Sequence, residues 1–372
     1  MSAEMNYEKT SLRTLRKDRL TDQERMEALW ARQKPDRVPL IPLTLGFAAI
    51  NVGYNINDFY VDPKKGVDAL RWTNEQYGWD SCLLYMGALL AFPAEEFGGE
   101  VKYPTGEFAQ APSVARCPVQ TEDDVYKLRV PDNLEKVGTI PKMLEATAYM
   151  LKFRGLIKSP LAVGPMDLAG ATIGVETASK WMLKKPELLH RALRVLTDFQ
   201  IAVAKLFADT FGADRLLYEI TAPMESNQVI SPKMFKEFCV PYMKEQLDKV
   251  REMGYKYFRH HICGEQNENL PFWAEIDLGC PSIPAIISVG HEIELETVAK
   301  FFPNDIVFGN LEPVILQVGT PEEVYERAKN LVLRGKEIPG GFILSTGCEM
   351  PPKAPPYNVW MMTKAINDFG WY

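Results

Sequence analysis

Apolar runs of five to seven residues recur along the chain and alternate with longer stretches of helical periodicity. Eight are read as strands, at 38–44, 81–86, 161–166, 215–220, 257–263, 285–289, 306–311 and 341–346. They are predominantly apolar rather than alternating, as strands covered on both faces of a parallel sheet are. Between them, Ser231-Pro232 opens a helix predicted to run to about residue 253, and Thr320-Pro321-Glu322-Glu323 opens another ending near 335. In both, a hydroxyl residue stands where it can cap free amides, and proline, with its φ already helical, begins the first turn.

Eight strands each followed by helical sequence predict an α/β fold, a single (β/α)8 TIM barrel. A doubly wound sheet would carry a glycine-rich phosphate turn after its first strand, and none follows residues 38–44. The stretch 87–140, with Gly98-Gly99, Tyr103-Pro104-Thr105-Gly106 and Ala111-Pro112, is read as an insertion after strand two laid over one barrel end, or else as a separate small hairpin subdomain. Residues 1–20 are expected to form an N-terminal extension and 21–372 the barrel, with no internal repeat or flexible linker.

Chemistry concentrates at the predicted carboxyl ends of strands, the face on which barrel enzymes carry their sites. The fifth run ends His260-His261-Ile262-Cys263-Gly264, and residues two apart on a strand share a face, so His261 and Cys263 can present an imidazole nitrogen and a thiolate together. The eighth ends Ser345-Thr346-Gly347-Cys348-Glu349 and supplies a second thiol. Two sulfurs and one imidazole suit zinc, with a fourth position left for water, substrate or a carboxylate. Glu219, set in the apolar fourth run, is a candidate for that carboxylate, for a proton-transfer group, or for half of an ion pair. A His-x-Cys pair alone is more often two core residues; convergence of His261, Cys263, Cys348 and Glu219 at strand ends reverses that preference. Strands five and eight are not neighbours, so the site must span the barrel mouth, with the turn at Gly347 carrying Cys348 inward.

Asn310, ending the seventh run, either binds substrate or caps the turn that follows. Met86 after strand two and Met166 after strand three would line the mouth with soft apolar surface, together with Tyr218, Phe47 and Tyr85. His260 should face outward and becomes the alternative ligand if the strand phase is shifted by one residue. His190 on a helix and His291 in a loop fit solvent or capping roles, and Cys82, Cys117, Cys239 and Cys280 lack ligand partners in sequence.

Composition narrows the function classes. The 372 residues are 46% hydrophobic and 24% charged, with a formal net charge of -7, so no basic surface for nucleic acid is expected. No stretch has the length or apolarity of a signal peptide core or a membrane span, and six scattered cysteines do not form a disulfide framework, which together predict a cytoplasmic protein with reduced thiols.

The order of several short motifs resembles the uroporphyrinogen decarboxylase superfamily, and within it the zinc- and corrinoid-dependent methyltransferases. The motifs are Asp36-Arg37-Val38-Pro39, Val163-Gly164-Pro165, Gly174-Val175-Glu176, Lys184-Lys185-Pro186-Glu187-Leu188, Ile230-Ser231-Pro232 through Pro241-Tyr242, His261-Ile262-Cys263-Gly264, Gly309-Asn310-Leu311-Glu312-Pro313 and Gly347-Cys348. The decarboxylases of that superfamily need no metal and use arginines near the end of strand one, where this chain reads Leu43-Thr44-Leu45-Gly46-Phe47-Ala48-Ala49-Ile50. The resemblance therefore implies zinc ligation by His261, Cys263 and Cys348, and methyl transfer through a corrinoid. No Asp-x-His-x-x-Gly cobalt-binding pattern is present, so the corrinoid would arrive on a partner protein. The leading expectation is transfer from a small methyl donor, such as an aryl methyl ether, to cobalt(I). The alternatives are transfer from a methylated corrinoid protein to a thiol resembling coenzyme M, and a metal-free decarboxylase.

Overall fold

The computed structural model describes residues 18–80, 83–85, 87–105, 111–153 and 157–372. A short antiparallel hairpin, β1 (Glu100–Lys102) and β2 (Ser113–Arg116), precedes six parallel strands in sequential order: β3 (Ile157–Val163), β4 (Leu216–Thr221), β5 (Tyr257–Ile262), β6 (Ile286–Val289), β7 (Ile306–Leu311) and β8 (Phe342–Thr346). Every residue of β4, β6, β7 and β8 is buried, as the uninterrupted apolar runs require.

The first two predicted strands are extended segments rather than regular ladders. Leu40 makes a parallel bridge to Leu344 of β8, Leu84 makes one to Lys158 of β3, and the Asp80 amide joins the two segments by donating to the Leu40 carbonyl at 3.0 Å. The ring thus has eight members and the fold is the (β/α)8 barrel. Pro39 and Pro42 remove two amide donors from the first segment, which explains why its ladder is so short. In the second, residues 81, 82 and 86 lie outside the described residues.

Two boundaries differ from expectation. β3 begins four residues early because Lys158 and Pro160 disguise it, and Lys158 is tolerated inside the barrel by its ion pair with Glu219. The helix expected over 231–253 is two helices, Pro232–Phe238 and Val240–Glu252, broken at Cys239. Pro241 has no amide to donate and its ring clashes with the carbonyl four residues back. The helix Pro321–Gly335 starts as predicted, with Thr320 and Glu323 exchanging hydrogen bonds in a capping box.

The helix Asp22–Trp30 closes the amino-terminal end of the barrel. Its Leu29 joins Ile41, Leu217, Ile286, Ile306, Phe308 and Ile343 in one buried cluster. Beside it, buried Arg25 is paired with Asp36 at 2.7 Å and with Asp80. The insertion is fastened to the barrel, with Phe92 and Phe97 packing on Phe199 of the long helix Pro186–Phe211 at 5.6 and 5.1 Å. No helix among the described residues is long and apolar enough to cross a membrane.

Candidate metal centre

Odd-numbered residues of β4 and β5 face the barrel interior, and neighbours there stack in layers. Glu219 is in register with Arg259, Thr221 with His261, and His261 with Ser288 of β6. His261 is therefore flanked on both sides by small hydroxyl residues. Its Nδ1 lies 2.8 Å from Ser288 Oγ, while its Nε2 is buried without a hydrogen-bond partner among the described residues. A buried ring nitrogen without a protein partner, close to two thiols, has the chemistry of a metal ligand.

Cys263 stands just beyond β5 and Cys348 just beyond β8, with their sulfurs 3.5 Å apart. Together with a His261 ring nitrogen, the three donor atoms all lie within 4.8 Å of one another. Sulfurs bound about 2.3 Å from a tetrahedral ion are about 3.8 Å apart, so the pair needs only a small adjustment to hold zinc. The hydrogen bond between the two thiols pushes the Cys263 thiol up and the Cys348 thiol well down, and Cys348 is drawn further down by His261. A divalent cation would hold both sulfurs as thiolates.

Three glycines explain how strands separated by two others reach a common point. A Cβ on Gly347 would lie 2.7 Å from the His291 amide nitrogen, and one on Gly290 would lie 2.9 Å from the Gly264 amide nitrogen. The loops after β5, β6 and β8 therefore stack backbone on backbone, and the Gly347 amide donates to the Leu311 carbonyl of β7 at 2.8 Å. This contact carries Cys348 over β6 and β7 towards Cys263.

Glu219 does not join the three. It lies one layer deeper, paired with Lys158 and with Arg259 Nε at 2.9 Å, and takes a hydrogen bond from Thr221 at 2.8 Å. Burial alone would raise its pKa, but Arg259 and Lys158 outweigh that and hold the carboxyl down at about 2. Of its three possible roles from sequence, the ion pair is the one its surroundings fit. Tyr218 faces the helices and not the mouth: its hydroxyl accepts from Gln246 at 2.6 Å and its ring packs edge-on to Tyr255 at 5.5 Å. Asn310 ties down the loop after β6, its amide donating to the carbonyls of Gly290 at 3.0 Å and Ile293 at 2.6 Å. It therefore braces the loop after β6 and not the turn that follows its own strand, which the sequence reading has it cap. Met166 is buried in the helix Pro165–Thr172, and Met86 lies outside the described residues. Phe47 and Tyr85 are buried in the main core. Of the aromatic set expected to line the mouth, Tyr218 is turned away from it.

His260 faces outward, its Nε2 2.7 Å from the Leu278 carbonyl, and burial lowers its pKa to about 4. His190 meets the Tyr242 hydroxyl at 2.8 Å, far along the helix layer. A cavity of about 550 Å³ opens beside the loop after β8, lined by Ile50, Tyr54, Asp58 and Lys353 among others, and none of the three donors lines it.

Sequence reasoning passed over one pair of groups on this face. Asp167, in the first turn of Pro165–Thr172, and Glu225, in the loop after β4, are buried side by side, Glu225 accepting the Met166 amide and Asp167 the Met224 amide. Acids in the apolar frames Pro165-Met166-Asp167-Leu168 and Ala222-Pro223-Met224-Glu225 were the available signal.

Fold and site define a barrel protein that gathers one imidazole and two thiols at its carboxyl-terminal mouth. The sequence profile of the uroporphyrinogen decarboxylase (URO-D) family matches residues 21–369, and the chain belongs to that family. Among its relatives, the methylated-thiol–coenzyme M methyltransferase of Methanosarcina mazei is 28% identical over 64% of this chain and 61% of its own length, so the chain spans under two thirds of that relative. A methylcobamide:CoM methyltransferase of Methanosarcina acetivorans is 28% identical over 74% of this chain and 76% of its own. A uroporphyrinogen decarboxylase of an Anaeromyxobacter species is 22% identical over 80% and 83%. A solved methyltransferase from Methanosarcina mazei superposes with a TM-score of 0.76 at 24% identity, covering 94% of this chain and 99% of that one, which shows the shared fold.

Proposed function

We propose that this chain is a zinc-dependent methyltransferase that moves a methyl group between a small thiol and the cobalt of a corrinoid carried by a separate partner protein. The observation that carries the reading is the convergence of His261, Cys263 and Cys348, with an unpartnered imidazole nitrogen turned to two sulfurs 3.5 Å apart. A metal-free decarboxylase has no use for that arrangement. The relatives named for thiol and methylcobamide substrates support the same class. Of the two directions considered from sequence, the thiol reading is favoured by the relatives named for thiol and methylcobamide substrates, and Tyr218, one of the residues expected to hold an aromatic ring, faces away from the mouth.

Bound zinc would supply a Lewis acid that favours the thiolate form of a thiol near neutral pH. The residues do the rest. Ser288 orients His261 so that Nε2 presents a lone pair, the arrangement by which outer partners fix a ligand's tautomer. Cys263 and Cys348 bring one negative charge each, which balances a dication and leaves an incoming thiolate its own charge for attack. Both are only partly buried, so the sulfur side stays open to a partner approaching from the mouth. Transfer at carbon requires sulfur, methyl and cobalt in one line, and a fixed sulfur position supplies half of that alignment.

The test is metal content of freshly purified protein by elemental mass spectrometry, beside Cys263→Ser and Cys348→Ser. The reading expects about one zinc per chain, lost in both variants, because a neutral hydroxyl replaces a thiolate poorly. Zinc retained unchanged by both variants would remove the site.

A further inference from the structure

The most unusual pair of groups outside the three donors is Asp167 with Glu225. Both are buried, 3% and 0% exposed, in a setting with no ammonium or guanidinium partner recorded among the described residues. Each accepts an amide from the segment that carries the other, Glu225 from Met166 and Asp167 from Met224 at 3.5 Å, and two carboxyls buried side by side do not both ionise, so one proton is held between them. Burial and mutual repulsion push Asp167 well above the usual carboxylate range, and burial pushes Glu225 up as well. The setting is built rather than incidental. Glu225 Oε1 accepts the Met166 amide at 2.8 Å, and a Cβ on Gly164 would fall 2.3 Å from that oxygen, so only glycine leaves room for the carboxyl. The loop that carries Glu225 is pinned to the loop after β5: Asn269 donates to the Glu225 carbonyl at 2.7 Å and the Asn227 amide to the Glu265 carbonyl at 2.7 Å.

The pair belongs to the same face as the metal centre. A further thiol, Cys239, lies against it, its sulfur 4.0 Å from Glu225 Oε1, and is pushed up by burial first and then by the two carboxyls. The Asn227–Glu265 contact sets the pair's loop two residues from Cys263.

Resting on the thiol reading above, we propose that Asp167 and Glu225 form the proton store of the site, a carboxyl pair that holds one proton at rest and takes a second when a thiol enters as thiolate. The balance is simple. The S–H bond of the thiol breaks, one O–H bond forms on the pair, and the singly negative pair becomes neutral as the sulfur becomes negative. The buried charge at the mouth is unchanged by binding, and the repulsion between thiolate and pair is removed as it would arise. In the opposite direction the proton returns to the departing thiolate. No other reactant is needed.

The experiment uses the metal-loaded protein, wild type and the double variant Asp167→Asn/Glu225→Gln, which keeps shape and can keep a hydrogen bond but cannot take up a proton. Binding of 2-mercaptoethanol is followed by the absorption of cobalt(II)-substituted protein, which reports sulfur ligation independently of turnover. Proton release is measured in weakly buffered solution with an indicator, well below the ordinary thiol pKa of about 8.5. Wild type should release close to no proton per thiol bound, and the double variant about one. Infrared spectra of resting wild type at neutral pH should show a protonated-carboxyl stretch that is missing from the double variant. Thiol ligation with a full proton released by wild type would sink the proton store while leaving the thiol reading intact. Absence of the carboxyl stretch would sink the shared proton itself. Failure of thiol to ligate the metal would remove the thiol reading and the store with it, and the cobalt absorption identifies that case.

Discussion

Ser288 never touches the proposed metal, yet its replacement by alanine is expected to weaken metal binding strongly. For His261 to offer the Nε2 lone pair, its proton must sit on Nδ1 and donate to Ser288 Oγ, 2.8 Å away. Both residues are buried, at 4% and 0% exposure, so water cannot substitute for the lost hydroxyl. An unmade hydrogen bond at a buried donor costs about 1–3 kcal/mol, and the ring is also released to the tautomer that presents the wrong nitrogen. Loss of a group that orients a metal ligand typically lowers metal affinity by about 10–100-fold, and the same range follows from about 1.4–2.7 kcal/mol. The assay is competition for zinc against a chromophoric chelator, with thermal unfolding of the metal-free proteins as control. A dissociation constant within about twofold of wild type would refute the claim that Ser288 sets the tautomer of His261.

Gly347→Ala keeps all three donors but places a Cβ 2.7 Å from the His291 amide nitrogen; zinc per chain should fall by at least half, and full occupancy would show that Cys348 does not depend on that backbone contact. Glu219→Gln should leave zinc content intact while destabilising the fold by about 3–5 kcal/mol in denaturant unfolding, since it strands Lys158 and Arg259 in the interior. Loss of zinc with unchanged stability would return Glu219 to the ligand set. The same carboxyl titrates at about 2 in the folded chain against 4.5 when free, so it stabilises the fold above pH 4.5, on the order of 3 kcal/mol, and that contribution disappears as pH falls from 4.5 through 2. Unfolding free energy of wild type should therefore drop more steeply over that interval than that of Glu219→Gln, and parallel curves would contradict the pairing.

The parts of the fold legible in sequence were those fixed by local periodicity. β5, β7 and β8 end within one residue of their expected ends, and the Thr320 capping box marks its helix start without error. What was hidden depended on partners distant in sequence. Lys158 reads as a strand breaker until Glu219 is placed beside it, and Pro241 splits a helix whose apolar periodicity continues across the break. The same division holds at the site. His261, Cys263 and Cys348 were visible because two-residue spacing and a strand end are local facts. The role of Glu219 was open because a buried acid is interpreted only by its neighbours, and Tyr218 was misplaced because it precedes an inward-facing residue by one position and so faces outward. Asp167 and Glu225 escaped for a further reason: each lies in an ordinary loop or helix start, and only their contact makes them unusual.

The central claim is methyl transfer at the His261, Cys263, Cys348 centre, and the most direct measurement is demethylation of methylcobalamin by added coenzyme M with zinc-loaded wild type and with Cys348→Ser. The account predicts thiol-dependent loss of the methyl–cobalt absorption in wild type, abolished in the variant and by prior chelation. Zinc-loaded wild type that leaves methylcobalamin untouched, or a variant that turns it over equally fast, would contradict it.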